Sequence, residues 1–191
     1  MTLLTSFISR ILLPVSFFGM ALSSGCAHYK GTVSPEQSPS VTGPMRIVVL
    51  PVENLSGKEA PLDDLRKAIV DRMAANGLSV LGDEAGEEFM TRHRMRYTGG
   101  LDASMAKAFR DEERTDAVLI VSLEFYLESD NPKISLISRL VSTGDTPTII
   151  WMKSVAIAGN DSPGLLGLGL ITDPLKLRAR AIETLAASLE E

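Results

Sequence analysis

The sequence predicts one α/β domain in which helices pack on a mixed β-sheet, in the order β-α-β-α-α-β-β-β-α. Three features lead to this fold class. Residues 47–50 form a continuous apolar run, which is typical of a strand covered on both faces. The segments that follow alternate between helix-periodic and strand-like patterns, and such units favour parallel strands joined by right-handed crossovers. Between residues 117 and 159, strand-like segments follow one another across short turns, which favours an antiparallel meander.

The first helix is predicted to begin at Pro61, whose missing N–H costs nothing in a first turn. Residues 78–82 are predicted to form a short second strand. Asp83 is expected to cap a second helix that continues to about Arg94. The apolar positions of the first helix recur at helical spacing and are Leu62, Leu65, Ile69 and Met73.

The second half of the chain is predicted to contain a helix capped by Asp102, three strands and a final helix. The strands are expected over residues 117–127, 133–142 and 148–159, separated by turns at Asn131-Pro132 and at residues 143–147. The final helix is expected over residues 174–189. Its predicted inner stripe consists of Leu175, Ala179, Ile182, Leu185, Ala186 and Leu189.

Residues 1–25 have the layout of a secretory signal peptide, since Arg10 is the only charge, an apolar run follows it and small residues end the segment. The apolar run is shorter than the roughly 20 residues of a membrane-spanning helix, which disfavours the alternative of a retained anchor. The sequence "LSSGC" at residues 22–26 resembles a bacterial lipobox, in which the cysteine is lipidated and becomes the mature N-terminus. Cys26 is therefore the predicted lipid attachment site. The alternative is an exported protein with a free thiol, which is unusual in an oxidising compartment.

Residues 26–45 are expected to comprise the lipidated cysteine and a flexible tether, because the segment is polar and rich in proline and has no apolar period. The folded domain is expected over residues 46–191, and a single cysteine in the chain leaves it without an internal disulfide. By resemblance to Gram-negative lipoproteins, Ala27 after the cysteine indicates the outer membrane, with the domain facing the periplasm. The net charge of −5, or −6 without Arg10, argues against a nucleic-acid partner.

Three segments resemble the periplasmic CsgG-like group of lipoproteins: "RIVVLPVENLSG" from Arg46, "NGLSVL" from Asn76, and "GGLDASMAKAFRDEERTDAVLIVSLEFY" from Gly99. This group includes the curli secretion lipoprotein and the LpoB-type activators of peptidoglycan synthases. The resemblance covers residues 46–159. It implies a related α/β fold and a binding or regulatory role in an envelope complex. This sequence departs from the group's pattern at Asp116-Ala117, which are in reversed order, and at Ser122, where glycine is common.

No residue pattern predicts an enzyme, a cofactor or a metal site. A phosphate-binding loop would need glycine at Val52 and a hydroxyl residue at Glu59, and the acidic side chain of Glu59 would repel phosphate. His28 and His93, the two histidines, are far apart in sequence and do not form a zinc-ligand pattern.

The segment from Pro163 to Pro174, here called the Gly-Leu loop, is the most unusual part of the chain because it is apolar, glycine-punctuated and almost uncharged. Exposed apolar surface of this kind normally marks a contact site. The alternative is that the loop packs back on the sheet or under the last helix. The candidate contact residues for a protein partner or a membrane are Leu165, Leu166, Leu168, Leu170 and Ile171.

Together these features predict a non-enzymatic outer-membrane lipoprotein that faces the periplasm and serves as a binding, assembly or regulatory module of a secretion, transport or wall-synthesis complex. It is anchored to the membrane through Cys26 and is a possible homo-oligomer. The alternative is a subunit of a CsgG-like oligomeric secretion channel. For that role the hairpin from Lys133 to Ala158 is barely long enough, and it carries Arg139 and Lys153.

Overall fold

The computed structural model describes residues 44–189; the predicted signal peptide, Cys26 and most of the tether lie outside them. The helices are α1 (Leu62–Ala75), α2 (Asp83–Arg92), α3 (Ala103–Glu113) and α4 (Pro174–Ala187). The strands are β1 (Arg46–Val49), β2 (Glu53–Asn54), β3 (Ser79–Val80), β4 (Ala117–Leu127), β5 (Lys133–Ser142) and β6 (Ile149–Ala158).

All six strands belong to one mixed sheet with the order β3-β1-β4-β5-β6, and β2 lies beside β4 beyond the end of β1. β1 pairs in parallel with β3 and β4, whereas β4, β5 and β6 form an antiparallel meander. The predicted fold class is therefore confirmed. One strand, β2, is not among the predicted elements. Its two residues pair with Ser122 and Leu123 of β4 before the chain turns at Asn54, whose side chain binds Ser56 and Lys58.

Helices α1 and α4 cover one face of the sheet. Their buried residues Leu65, Ile69 and Met73 of α1, and Leu177 and Leu185 of α4, join the larger core with residues of β1, β4, β5 and β6. The prediction for α1 holds. For α4 the predicted stripe was displaced at its start, because Leu175 and Ala179 are exposed whereas Leu177 and Ala181 are buried.

Helices α2 and α3 cover only part of the opposite face. The rings of Phe89 and Phe109 stack there with centroids 3.8 Å apart, over Val48 of β1 and over Val118 and Ile120 of β4. No element within residues 44–189 covers the rest of this face, which is called the open face here and includes Phe125, Ser135, Ile137, Met152, Ser154 and Ala156. These residues are exposed except for Ser135 and Ile137, which are half-buried.

Capping residues set the starts of the helices. Asp102 accepts a hydrogen bond from the Met105 N–H at 2.9 Å and caps α3, as predicted. Asp83 was expected to cap α2, but Gly82 takes that position and Asp83 lies inside the first turn. There Asp83 pairs with Arg66 at 3.1 Å, and this ion pair joins α2 to α1.

Arg66 also closes one edge of the sheet. β3 pairs only with Arg46 and Ile47, so the outer edge of β1 continues beyond it without a neighbouring strand. The Nε and Nη2 groups of Arg66 donate to the carbonyl oxygen of Val49 at 3.1 and 3.0 Å. This buried acceptor is thereby satisfied by a side chain in place of a strand.

We expect Arg66→Met to lower the free energy of unfolding by about 1–3 kcal/mol, because the buried Val49 carbonyl would lose its donors. Arg180→Met is the matched control, since Arg180 is exposed and pairs only with Glu183 three residues along α4. Its effect should stay within about 0.5 kcal/mol. Urea denaturation of both variants measures the difference, and equal effects would contradict the role given to Arg66.

Candidate interaction surface

The Gly-Leu loop leaves the sheet at the C-terminal end of β6 and leads into α4. It is fixed at its base by Gly159, which donates to the carbonyl of Pro132 at 2.8 Å and accepts from the N–H of Ile171 at 2.9 Å. A Cβ atom at Gly159 would collide with the carbonyl oxygen of Ile171 and lie 2.9 Å from the ring of Pro132. Only glycine therefore lets the two ends of the loop approach this closely.

A second contact closes the loop on itself. Gly169 donates to the carbonyl of Pro163 at 3.0 Å, and a Cβ atom there would collide with the carbonyl oxygen of Ser162. Between these residues the chain makes one 3₁₀ turn, Leu165–Gly167, with positive φ angles of 62° at Gly164 and 74° at Gly167. The backbone path is thus set by glycines and by its own hydrogen bonds.

Three leucines of the loop are exposed to solvent. Leu165 and Leu168 are 82% and 86% exposed, and Leu170 is 48% exposed. Ile171 differs, because it is half-buried and packs against the larger core, which attaches the end of the loop to the domain. Leu166 belongs to the 3₁₀ turn between Leu165 and Gly167.

Leu175 extends the apolar surface and was assigned to the core by sequence reasoning. It occupies the second position of α4 and is 61% exposed, and its N–H is accepted by the capping carboxylate of Asp173 at 2.9 Å. When Leu177 and Ala181 face the core, the helical period places Leu175 on the solvent side of α4. The exposure of Leu175 could therefore have been predicted by choosing this phase for the helix.

The two charged side chains before Leu175 in this segment are acidic, and the exposed Lys176 follows Leu175 directly. Between residues 159 and 175 the only charged side chains are Asp161 and Asp173, and there is no aromatic residue. Asp161 accepts from the N–H of Ala158 at 2.7 Å and Asp173 caps α4, so both carboxylates also have structural roles. Loops that enter anionic bilayers normally carry several Lys, Arg, Trp or Tyr residues at their margins. Here Lys176 is such a residue, beside the two carboxylates.

A cavity of about 520 Å³ lies beside the C-terminal end of β4, between Lys58–Pro61 and Tyr126–Glu128. Burial raises the pKa of Tyr126 to about 12, and the hydrogen bond that its hydroxyl donates to Glu128 adds to this shift. The phenol is therefore held in its neutral form. Such a group is a poor nucleophile or base near neutral pH.

Arg92 and His93 at the end of α2 contact acidic residues of α3. Arg92 contacts Glu112 at 3.1 Å and Glu113 at 2.8 Å, and His93 lies 2.9 Å from Glu112. The His93 hydrogen bond, together with Arg92, lowers the pKa of the Glu112 carboxyl. These contacts join α2 to α3, so Arg92 and His93 have a structural role.

Within residues 44–189 no three His, Cys, Asp or Glu side chains are grouped so that they could hold a metal ion. None of the helices in that range combines the length and apolar character needed to cross a lipid bilayer.

The chain matches no protein-family model, and no curated protein is similar to it in sequence. Its fold is shared with solved structures. Lipoprotein GNA1162 from Neisseria meningitidis has a TM-score of 0.53 at 20% identity, over 75% of this chain and 97% of that chain. The hypothetical protein CT253 from Chlamydia trachomatis has a TM-score of 0.53 at 15% identity, over 78% and 96% of the two chains. The LpoB C-terminal domain from Salmonella enterica has a TM-score of 0.50 at 18% identity, over 63% and 87%. At these identities the similarity establishes a common fold.

Replacing the two most exposed leucines should leave the fold intact. We expect Leu165→Ser with Leu168→Ser to change the free energy of unfolding by less than about 0.5 kcal/mol, because both side chains are already in water. Leu177→Ser, in the core of α4, should cost about 3 kcal/mol or more. Urea denaturation distinguishes these cases, and a large loss in the double variant would mean that the loop leucines support the fold.

The raised pKa of Tyr126 predicts a loss of stability at high pH. Between pH 10 and about 12 the unfolded chain releases this proton while the folded chain retains it, so the free energy of unfolding should fall as the pH rises through this window. Tyr126→Phe should remove that part of the pH dependence. Urea denaturation at several pH values measures it, and an unchanged slope in the variant would contradict the assignment.

Proposed function

We propose that this protein is a non-enzymatic lipoprotein of the bacterial envelope whose α/β domain binds a protein component of a larger complex through the Gly-Leu loop. The observation that carries the proposal is the exposure of Leu165 and Leu168, at 82% and 86%, on a backbone held in shape by glycines. A rigid apolar display loses little conformational entropy on binding, which favours its use as a docking element.

Two features support the envelope location. The lipobox-like sequence before Cys26 would place a lipid at the mature N-terminus, and Ala27 after it fits retention in the outer membrane with the domain in the periplasm. The fold is shared with a Neisseria lipoprotein and with the LpoB C-terminal domain, which is consistent with this location. The complex served would then belong to secretion, transport or peptidoglycan synthesis.

A protein partner suits the loop better than the bilayer does. The carboxylates of Asp161 and Asp173 would face an anionic lipid surface unfavourably, and Lys176 supplies one positive charge against the two. A protein groove with apolar walls and a basic rim would satisfy both the leucines and the acids.

The experiment places a photocrosslinking amino acid at position 168 of the full chain in intact cells and identifies the adducts by mass spectrometry. We expect a discrete adduct with one other envelope protein, because the side chain at 168 is exposed at the tip of the loop. Position 187, which is exposed at the far end of α4, is the matched control and should not give this adduct.

Three results would overturn the proposal: adducts with lipid alone, adducts only with further copies of this chain, or the same adduct from both positions. A supporting result is strengthened if Leu165→Ser removes the adduct while the protein level in the cells is unchanged.

A further inference from the structure

The two edges of the sheet are treated differently. At one edge β3 has two residues, and Arg66 satisfies the next carbonyl of β1. At the other edge β6 is ten residues long, and none of residues 44–189 pairs with its outer side. Long free edges are normally shortened, charged or covered in monomeric proteins because they pair with other chains.

The hydrogen-bond register shows which groups of β6 face outwards. Gly159 donates to Pro132 at 2.8 Å, directly after the register pair Lys133 and Ala158. Hydrogen-bonded and non-hydrogen-bonded pairs alternate along an antiparallel ladder, so Val155 and Ile157 bond to β5. The N–H and C=O groups of Met152, Ser154 and Ala156 therefore point away from the sheet.

The end of the strand supports this assignment. Ala158 belongs to the same outward-facing set, and its N–H is accepted by the carboxylate of Asp161 at 2.7 Å. The chain thus caps the last outward N–H itself. Asp161 also limits further pairing to the segment before Ala158.

The side chains of the outward-facing residues lie on the open face. Met152 is 63% exposed, and Ser154 and Ala156 are small and exposed as well. At the start of the strand Ile149 and Ile150 are 55% and 48% exposed. Lys153 is the only charge on β6 and projects from the other face. A lysine on an edge strand restricts association, so pairing is confined to registers that keep the two ammonium groups apart.

We propose that β6 pairs in antiparallel fashion with β6 of a second copy of this chain, which joins two six-stranded sheets into one across a two-fold axis. A second copy is the occupant that the edge fits, because the strand is complementary to itself. Centred on Ser154, the pairing sets Met152 opposite the small Ala156 of the other copy. It also sets Lys153 opposite Val155. A pairing centred on Lys153 would oppose two ammonium groups, which is unfavourable.

The test uses the full chain with Ser154→Cys, oxidised in intact cells and examined by non-reducing gel electrophoresis. In a hydrogen-bonded antiparallel pair the Cα atoms lie about 5.5 Å apart, within the range that a disulfide spans. We expect a reducible covalent dimer. The parent chain, whose only cysteine is Cys26, controls for that residue. Ser79→Cys, at an exposed position on the opposite edge strand β3, controls for random collision.

A second variant separates pairing from folding. The Ala156 N–H points outwards, so Ala156→Pro removes a donor to the second copy and none to β5, and proline is tolerated at such edge positions. Adding it to Ser154→Cys should reduce cross-linking to the level of Ser79→Cys. Val155→Pro removes a bond within the sheet and should instead destabilise the domain.

The proposal is overturned if Ser154→Cys gives no more dimer than Ser79→Cys, if its disulfide forms with a different protein, or if Ala156→Pro leaves the cross-link unchanged. These results are independent of the photocrosslinking at position 168, so either proposal can fail without the other.

Discussion

The burial of β4 is the constraint on which the rest of the fold depends. Every residue from Ala117 to Leu123 is buried, and the strand bonds to β1 and β2 on one side and to β5 on the other. Alternate side chains enter the two cores, one under α1 and α4 and the other under α2 and α3. A strand that is apolar on both faces must be covered on both faces, so β4 takes a central position in the sheet. Helices must then pack on each face of the sheet over this strand.

The sequence predicts best where local pattern and burial agree. The bounds of β4 and β5 match the structure, because apolar runs and alternation end there at clear turn residues. β2 could not be predicted, since two residues carry no period and pair only because β4 lies alongside. The phase of α4 was misjudged at Leu175 because apolar residues stand on both sides of its first turn. The open face could not be foreseen either, since it exists only because the core under α2 and α3 reaches no farther than Val141 of β5.

The candidate surfaces were likewise predictable only where the sequence carries a local pattern. Sequence reasoning found the Gly-Leu loop from its composition but left open whether it packs inwards. Its path depends on close backbone contacts at Gly159 and Gly169, which a Cβ atom would prevent. The free edge of β6 has no sequence signal of its own. Both surfaces belong to one strand and its following loop, and Asp161 connects them by capping Ala158. The covered side of the sheet thus serves stability, and both proposed contact surfaces lie at the strand farthest from β1.

In the Gly-Leu loop, glycines determine the backbone path and leucines determine the chemistry of the exposed surface. Because the path is fixed by backbone contacts at Gly159 and Gly169, the side chains at positions 165 and 168 can be exchanged without moving their neighbours. Divergence among descendants of this chain would then change what the domain recognises while its folding stays the same. Conversely, one methyl group added to either glycine would change the backbone path and so the positions of all the exposed leucines. Selection on these two glycines should therefore be stricter than selection on the leucines they support.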